Sequence, residues 1–195
     1  GLETSRALAQ AGATVTLAVR DLAQGDAAAT ALREATGNRH IRVQRLDLAD
    51  LESVRQFADA WRASGEPLHL LINNAGIMAC PLSRTALGWE AQFATNHLGH
   101  YALTRALLPV LLASDAPRVV ALSSSGHRLS PIVFDDIHFE HRDYNKWKAY
   151  GQAKTANALM ALHLDTLHAK DGLTANAVHP GGIKTGLSRH ITREE

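Results

Sequence analysis

Leu68-His69-Leu70-Leu71-Ile72-Asn73-Asn74-Ala75-Gly76 is the stretch that decides the fold. Its first five residues form a mostly apolar run of strand length, and residues 73–76 have the composition of a turn. The stretch therefore predicts a buried strand that runs into a polar loop containing glycine.

The same pattern recurs on both sides of this stretch, with a helical pattern between successive strands. Short apolar or alternating runs predict further strands at residues 13–19, 41–46, 118–122 and 173–178. Periodicity and capping residues predict five helices. The first ends at Gly12, the second runs from Asp21 to about Thr36, and the third begins at Asp50. The fourth runs from about Gly88 to Ala113, and the fifth contains Tyr150 and ends near Gly172. Strands that alternate with helices are typical of an α/β fold with right-handed crossovers. We therefore predict a doubly wound parallel sheet.

Ligands of such sheets bind beyond the carboxyl ends of the strands. Four polar or glycine-rich groups directly follow predicted strands, and these are Asp47 and residues 73–76, 123–126 and 179–182. The sequence therefore places a candidate ligand site at this edge of the sheet.

Composition limits the possible functions. The 195 residues, 46% of them hydrophobic, are enough for one well-buried domain spanning residues 1–195. The net charge of +1 argues against nucleic acid or a membrane surface as a partner, and no apolar run approaches the roughly 20 residues that span a bilayer. The single cysteine, Cys80, excludes an internal disulfide and fits a reducing compartment, so we predict a cytoplasmic protein.

Tyr150 and Lys154 are separated by three residues in a segment with good helix propensity, so their side chains should lie on one face. A cation roughly 4 Å from a phenol contributes about 4 kcal/mol at an effective dielectric of ~20, on the order of three pKa units. The spacing therefore predicts a tyrosine with a lowered pKa that acts as a general acid. The alternative is an ordinary tyrosine and lysine on a helix surface.

Taken together, the motifs resemble those of short-chain dehydrogenases/reductases. Five groups occur in the order found in that family: Asn73-Asn74-Ala75-Gly76, Asn96, the serines at the end of strand 118–122, Tyr150 with Lys154, and Pro180-Gly181 followed by Ile183 and Thr185. The resemblance covers essentially all 195 residues. Residues 96–100 and the long loop before Tyr150 are similar to the branch that contains retinol dehydrogenases.

The resemblance implies a set of catalytic roles. Tyr150 would exchange a proton with the substrate oxygen, and Ser124 would hydrogen-bond that oxygen, with Ser123 and Ser125 as alternatives. Lys154 would hold the ribose of the cofactor and lower the pKa of the phenol. Asn96 would hold a water molecule in a proton relay, or would only satisfy the helix backbone.

The resemblance also implies a Rossmann-type site for NAD or NADP. The implied cofactor-binding residues are Gly1, Arg20, Asp47, Leu48, Asn73, Ala75, Gly76, Tyr150, Lys154, Pro180, Gly181, Ile183 and Thr185. Arg20 ends the first predicted strand, where an arginine suits the 2′-phosphate of NADP, so we predict NADP in preference to NAD. Asp21 opposes this preference unless it caps the next helix. His97 and His100 have no evident third ligand, so we predict no metal site.

These features predict an NAD(P)-dependent oxidoreductase acting on a carbonyl or alcohol. Phe134, Phe139 and Trp147 either favour a hydrophobic substrate or pack the loop that carries them. The resemblance implies a homo-oligomer. Two alternatives are a sugar-nucleotide epimerase or dehydratase of the same fold and a non-catalytic nucleotide-sensing protein.

The beginning of the sequence departs from the family pattern. Gly1 corresponds only to the last glycine of the phosphate-binding loop that follows the first strand in the family. We therefore expect a piece of a longer protein that lacks its first strand and its C-terminal end. That first strand would lie between strands 13–19 and 68–72.

Overall fold

A computed structural model of the chain describes residues 1–183 and 186–190. The strands are β1 (Val15–Val19), β2 (Ile41–Arg45), β3 (Leu70–Asn73), β4 (Arg118–Leu122) and β5 (Thr174–Val178). The helices are α1 (Leu2–Gln10), α2 (Leu22–Thr36), α3 (Leu51–Ser64), α4 (Ala91–Phe93), α5 (Gly99–Leu112) and α6 (Lys146–His168). A π-helical segment, Ala94–Leu98, joins α4 to α5. Strands alternate with helices, as the sequence predicts.

Capping side chains fix the starts of α2 and α3 where the sequence places them. The Asp21 carboxylate accepts a hydrogen bond from the Gln24 amide at 3.1 Å, and the Asp50 carboxylate accepts one from the Glu52 amide at 3.0 Å. Gly37 ends α2 in the left-handed region, with φ of 70°. A residue without a Cβ adopts this conformation at little cost, and the chain can turn directly into β2.

All strand pairings are parallel, and they form two sheets. β1 pairs with β2, while β4 lies between β3 and β5. Within the described ranges, no ladder joins β1 to β3. Each sheet therefore has its own hydrophobic core.

The larger core packs α3, α5 and α6 against the three-stranded sheet. It includes Val54, Leu107, Val119 and Leu164. The smaller core joins α1 and α2 to the two-stranded sheet through residues such as Ala9, Leu32 and Ile41. Helix α3 has its buried face in the larger core although β2 precedes it.

The long helix predicted from Gly88 to Ala113 is shorter and is interrupted. Gly88 has φ of +79°, outside the helical region, so the helix cannot begin there. Instead, both carboxylate oxygens of Glu90 cap α4 by accepting hydrogen bonds from the Gln92 and Phe93 amides at 2.9 and 2.7 Å. Strand β3 likewise begins at Leu70 and not at Leu68.

Among the residues placed by the structure, no helix combines the length and apolar character needed to cross a membrane.

Candidate active site

Two chain segments bring Ser124, Tyr150 and Lys154 together: the loop that follows β4, and the first three turns of α6. The side chain of Asn145 caps α6 by accepting hydrogen bonds from the Trp147 and Lys148 amides at 3.0 and 2.9 Å. The next turns of the helix are buried, including Tyr150 and Lys154. The predicted pair therefore lies inside the protein and not on a helix surface.

The pKa of Tyr150 differs from the sequence prediction. Burial raises the pKa of the phenol, because a buried phenolate loses its hydration, and a hydrogen bond to the Ser124 side chain opposes that change. The Lys154 ammonium lies 5.5 Å from the centroid of the phenol ring. It donates to the backbone carbonyl of Leu122 at 2.8 Å. The predicted lowering of the pKa by the lysine is therefore wrong for this arrangement.

Lys154 is an unusual buried cation. Its exposed fraction is 4%, and burial lowers the pKa of its amine to about 8. Such a group can lose its proton near neutral pH more easily than an exposed lysine. An ammonium carries three donors, so the carbonyl of Leu122 satisfies only part of its capacity.

The three serines after β4 have different partners, and these distinguish them. The Ser123 hydroxyl donates to the backbone carbonyl of Lys154 at 2.9 Å, which ties the strand end to α6. The Ser124 side chain accepts from the Gly126 amide at 3.1 Å. Ser125 is exposed. Of the three serines, only Ser124 interacts with the phenol of Tyr150, and this interaction lowers the pKa of the phenol.

Asn96 lies in the π-helical segment and is fully buried. Its side chain accepts from the Ile77 amide and donates to the Ile77 carbonyl, both at 2.8 Å. Gly76 makes this contact possible, since a Cβ there would lie 3.1 Å from the Asn96 amide oxygen and 3.9 Å from the Lys154 nitrogen. The side chain thus holds the loop after β3 beside Lys154.

Asn157 belongs to the same cluster, although no sequence motif pointed to it. Its amide donates to the backbone carbonyls of Asn96 and Leu122 at 3.0 and 3.1 Å, and its oxygen accepts from Nδ1 of His97 at 3.1 Å. Asn157 follows Lys154 by three residues, so the i, i+3 spacing was the available signal.

His100 completes the cluster. Its Nδ1 donates to the Asn96 carbonyl at 2.9 Å, and burial lowers its pKa to about 4. The imidazole is therefore neutral at physiological pH. His97 and His100, for which no metal role is predicted, hydrogen-bond to different groups: the Asn157 side chain and the backbone carbonyl of Asn96. Within the described part of the chain, no group of three or more His, Cys, Asp and Glu side chains could hold a metal ion.

Two glycines set the distance between the Ser124 loop and α6. A Cβ on Gly126 would lie 2.9 Å from Cε1 of Tyr150. A Cβ on Gly151 would lie 2.9 Å from the Gly126 carbonyl oxygen and 3.1 Å from Cβ of Leu129. Contacts this short would force the two segments apart. The absence of both Cβ atoms keeps Ser124 within reach of Tyr150.

The predicted cofactor residues near β3 and β2 have mixed environments. Gly1 lies against the Asn74 side chain, with 2.7 Å between its hypothetical Cβ and the Asn74 amide nitrogen. Asn73 is buried, donates to the Thr104 hydroxyl at 2.9 Å, and has a side-chain oxygen without a partner within the described chain. Ala75 is exposed.

Asp47 and Leu48 form the turn after β2. The Asp47 carboxylate accepts from the Ala49 amide at 3.0 Å, and Leu48 is buried against Gly99.

The remaining predicted cofactor residues are exposed at strand ends. Arg20 follows β1, and Pro180, Gly181 and Ile183 follow β5. Gly181 has φ of +87°, which requires a glycine. Thr185 lies outside the described residues. The structure therefore gathers Asn96, Ser124, Tyr150 and Lys154 into one region, and the other described cofactor candidates lie in segments that follow β1, β2, β3 and β5.

Comparisons with known proteins show the family and the fold of the chain. The sequence model of the short chain dehydrogenase family matches residues 1–195. Human retinol dehydrogenase 12 is 44% identical over 190 residues, which cover 97% of this chain and 60% of that protein. The chain thus spans less than two thirds of that relative's length.

Two solved structures extend the likeness to three dimensions. One is an uncharacterised protein from Mycobacterium paratuberculosis, with a TM-score of 0.83 and 44% identity over 97% of this chain and 67% of that one. The other is a short chain dehydrogenase from Shigella flexneri 2a, solved in complex with NADP. It has a TM-score of 0.78 and 30% identity over 99% of this chain and 77% of that one.

Proposed function

The chain belongs to the short-chain dehydrogenase family, and we propose that it is part of an oxidoreductase that transfers hydride between the nicotinamide of NADP and a carbonyl or alcohol carbon. The observation that carries the proposal is the contact between Ser124 and Tyr150 beside the buried Lys154. Carbonyl reduction requires a proton donor and groups that stabilise charge on the carbonyl oxygen. A phenol, a hydroxyl and a cation near the carboxyl end of β4 can supply them.

The residues fit a bound nicotinamide nucleotide. The Lys154 ammonium has donors left after its bond to the Leu122 carbonyl, and they suit the hydroxyls of a ribose. The loops after β3 and β5 carry glycines that allow close approach of a ligand to the backbone. The bound nicotinamide would supply or accept the hydride.

The protein's own groups handle the proton. In reduction, the Tyr150 hydroxyl gives its proton to the carbonyl oxygen of the substrate, and in oxidation the phenolate takes it back. Because burial raises the pKa of the phenol, the phenolate needs stabilisation, and the hydrogen bond from Ser124 supplies it.

The proposal is tested with Tyr150→Phe, which removes the proton donor and keeps the ring. We expect oxidation of NADPH by a panel of aldehydes and ketones to fall by at least a hundredfold, while the dissociation constant for NADPH stays within threefold. Tyr101→Phe is the matched control, because Tyr101 is an exposed tyrosine on α5. Retained turnover in Tyr150→Phe would remove Tyr150 from the mechanism.

We assign the cofactor preference to Arg20. This exposed side chain follows β1, and its charge and planar donor geometry suit a 2′-phosphate. Asp21 does not compete for that site, because its carboxylate caps α2. The Michaelis constants for NADPH and NADH test the assignment, and a lower constant for NADH would contradict it.

We further propose a hydrophobic substrate and a homo-oligomer. Phe134, on the loop between Ser124 and Tyr150, is 77% exposed and available to an apolar ligand. On α6, Leu159 and Leu162 are exposed at 51% and 64%, which favours contact with a second copy. Light scattering of the wild type and of Leu162→Glu would test the assembly. A monomeric wild type would contradict it.

A further inference from the structure

Two side chains of α6 share one backbone acceptor at the end of β4. The Lys154 ammonium donates to the Leu122 carbonyl at 2.8 Å, and the Asn157 amide donates to the same carbonyl at 3.1 Å. Asn157 follows Lys154 by three residues, so the two side chains lie on one face of the helix. Asn157 is only 1% exposed. The Leu122 carbonyl is therefore held jointly by a charged ammonium and by a buried neutral amide.

The orientation of the Asn157 amide is determined by its neighbours. Its nitrogen faces the backbone carbonyls of Leu122 and Asn96, at 3.1 and 3.0 Å. A carbonyl oxygen can only accept, so the group between the two carbonyls must be the NH2 group and not the amide oxygen. The amide oxygen then faces Nδ1 of His97 at 3.1 Å, and that ring nitrogen must carry a hydrogen.

His97 is a neutral donor with a fixed ring. Burial lowers the pKa of this histidine, so the imidazole is neutral at physiological pH and its one hydrogen is on Nδ1. The ring centroid lies 5.2 Å from that of Phe93 and 6.0 Å from that of Tyr101. A chain of hydrogen bonds therefore runs from His97 through the Asn157 amide to the carbonyl that binds the ammonium.

The position of this carbonyl determines where the ammonium can bind a ligand. The Lys154 ammonium carries three N–H donors at fixed angles to one another. With one donor bound to the Leu122 carbonyl, the directions of the other two are restricted to a cone about that bond. A displaced carbonyl would therefore turn the remaining donors away from a bound ligand. An ammonium also keeps its proton more easily when its acceptor is well placed.

We propose that Asn157 is a positioning residue, which fixes the Leu122 carbonyl and so directs the remaining donors of Lys154 towards the ribose of the cofactor. The inference rests on the proposed function, in which Lys154 binds that ribose. Asn157 acts only through the carbonyl, because its amide nitrogen and its amide oxygen already have protein partners.

Asn157→Leu tests the proposal, because leucine keeps the branched shape and removes the hydrogen bonds. Neither carbonyl is left unpaired: that of Leu122 keeps Lys154, and that of Asn96 keeps Nδ1 of His100 at 2.9 Å. We expect the dissociation constant for NADPH to rise about tenfold, the scale of one weakened hydrogen bond from a charged group. At saturating NADPH, kcat should fall by less than about threefold, because the substitution leaves Ser124 and Tyr150 unchanged.

A second readout needs no cofactor. In protein with ¹³C at Cε of lysine, the NMR signal of Lys154 is identified by its absence from Lys154→Met, and its titration gives the pKa. In Asn157→Leu the proton affinity of the amine should fall about tenfold, which moves the pKa from about 8 to about 7.

The titratable groups that the described contacts place around Lys154 do not disturb this readout. Tyr150 has its ring 5.5 Å away, and His100 interacts electrostatically with the ammonium. The substitution changes neither residue. The hydrogen bond from Asn157 raises the pKa of His97, so its loss keeps that ring neutral and adds no charge.

His97→Phe is a second, milder variant, which keeps an aromatic ring and removes the donor to Asn157. We expect a rise of about threefold in the dissociation constant for NADPH, and less than an additive effect when it is combined with Asn157→Leu. His163→Phe is its matched control, because His163 is exposed on α6. Met160→Ala controls for a general loosening of the helix, because Met160 is buried in the larger core. It should lower stability without changing NADPH affinity or the pKa of Lys154.

The outcomes separate the two proposals. A wild type that neither binds NADPH nor reduces any aldehyde or ketone would overturn the proposed function, and the inference with it. An active wild type with unchanged NADPH affinity in Asn157→Leu would overturn the inference alone. So would a higher pKa of Lys154 in that variant, which would show that Asn157 competes with the ammonium for the carbonyl. Weaker NADPH binding together with a lower pKa, in Asn157→Leu and not in Met160→Ala, would support it.

Discussion

Replacing Lys154 by methionine should stabilise the protein near neutral pH while it abolishes turnover. The ammonium is buried, and burial lowers its pKa from 10.5 to about 8. Methionine has similar length, makes no demand for hydration, and leaves the Leu122 carbonyl with its hydrogen bond from Asn157. The change therefore removes a buried charge without leaving a buried acceptor unpaired.

The magnitude follows from the pKa. At about 1.4 kcal/mol per pKa unit, the lowered value corresponds to roughly 3 kcal/mol of unfavourable free energy when the amine is charged. The unfolded chain binds the proton more tightly than the folded protein, so the wild type gains stability as pH rises from about 8 towards 10.5. The variant also loses the hydrogen bond from Lys154 to the Leu122 carbonyl, and this loss cancels about 1.5 kcal/mol of the gain in stability.

Urea unfolding of wild type and Lys154→Met between pH 7 and pH 10 is the assay. At pH 7 the variant should be more stable by about 1–2 kcal/mol, and by pH 10 the wild type should have gained roughly 2.5 kcal/mol relative to it. Lys148→Met is the control, because Lys148 is exposed on the same helix. A difference between wild type and Lys154→Met that does not change with pH would refute the reasoning.

Three further predictions concern packing and charge. Gly99→Ala should destabilise the protein by about 2–3 kcal/mol in urea unfolding, because a Cβ there would collide with the backbone carbonyl of Leu48. Gly151→Ala should lower kcat about tenfold with little change in NADPH affinity, since its Cβ would press on the Gly126 carbonyl at 2.9 Å and displace the catalytic serine. Arg20→Glu should raise KM for NADPH at least tenfold and KM for NADH less than threefold in steady-state kinetics. Unchanged stability of Gly99→Ala would contradict the first prediction, and unchanged kcat of Gly151→Ala the second. Equal changes in KM for NADPH and NADH in Arg20→Glu would contradict the third.

Local rules in the sequence predicted the order of elements well. Asp21 and Asp50 cap the helices they were expected to cap, because a short carboxylate before a helical run has few other partners. The contact of Ser124 with Tyr150 also follows from motif order. Both depend on residues that are close in sequence or that stand at strand ends.

The electrostatics of the site could not be predicted in the same way. The i, i+4 spacing placed Lys154 near Tyr150 but could not indicate that the ammonium would bind the Leu122 carbonyl. Nor could it give the cost of burying the phenol, which depends on the surrounding packing. No sequence motif pointed to Asn157 and Gln152, because their hydrogen-bond partners are separated from them by 10 to 61 residues along the chain.

The π-helical segment has a consequence for how this chain can vary. One extra residue in a turn changes the phase of everything after it by about 100°. Upstream, Phe93 faces α6, and downstream Leu103, Leu107 and Leu111 fill the larger core. Removing a residue between 94 and 98 would restore regular winding, but one of these two faces would then turn towards solvent. Homologous chains should therefore keep the length of that segment constant even where its residue types differ.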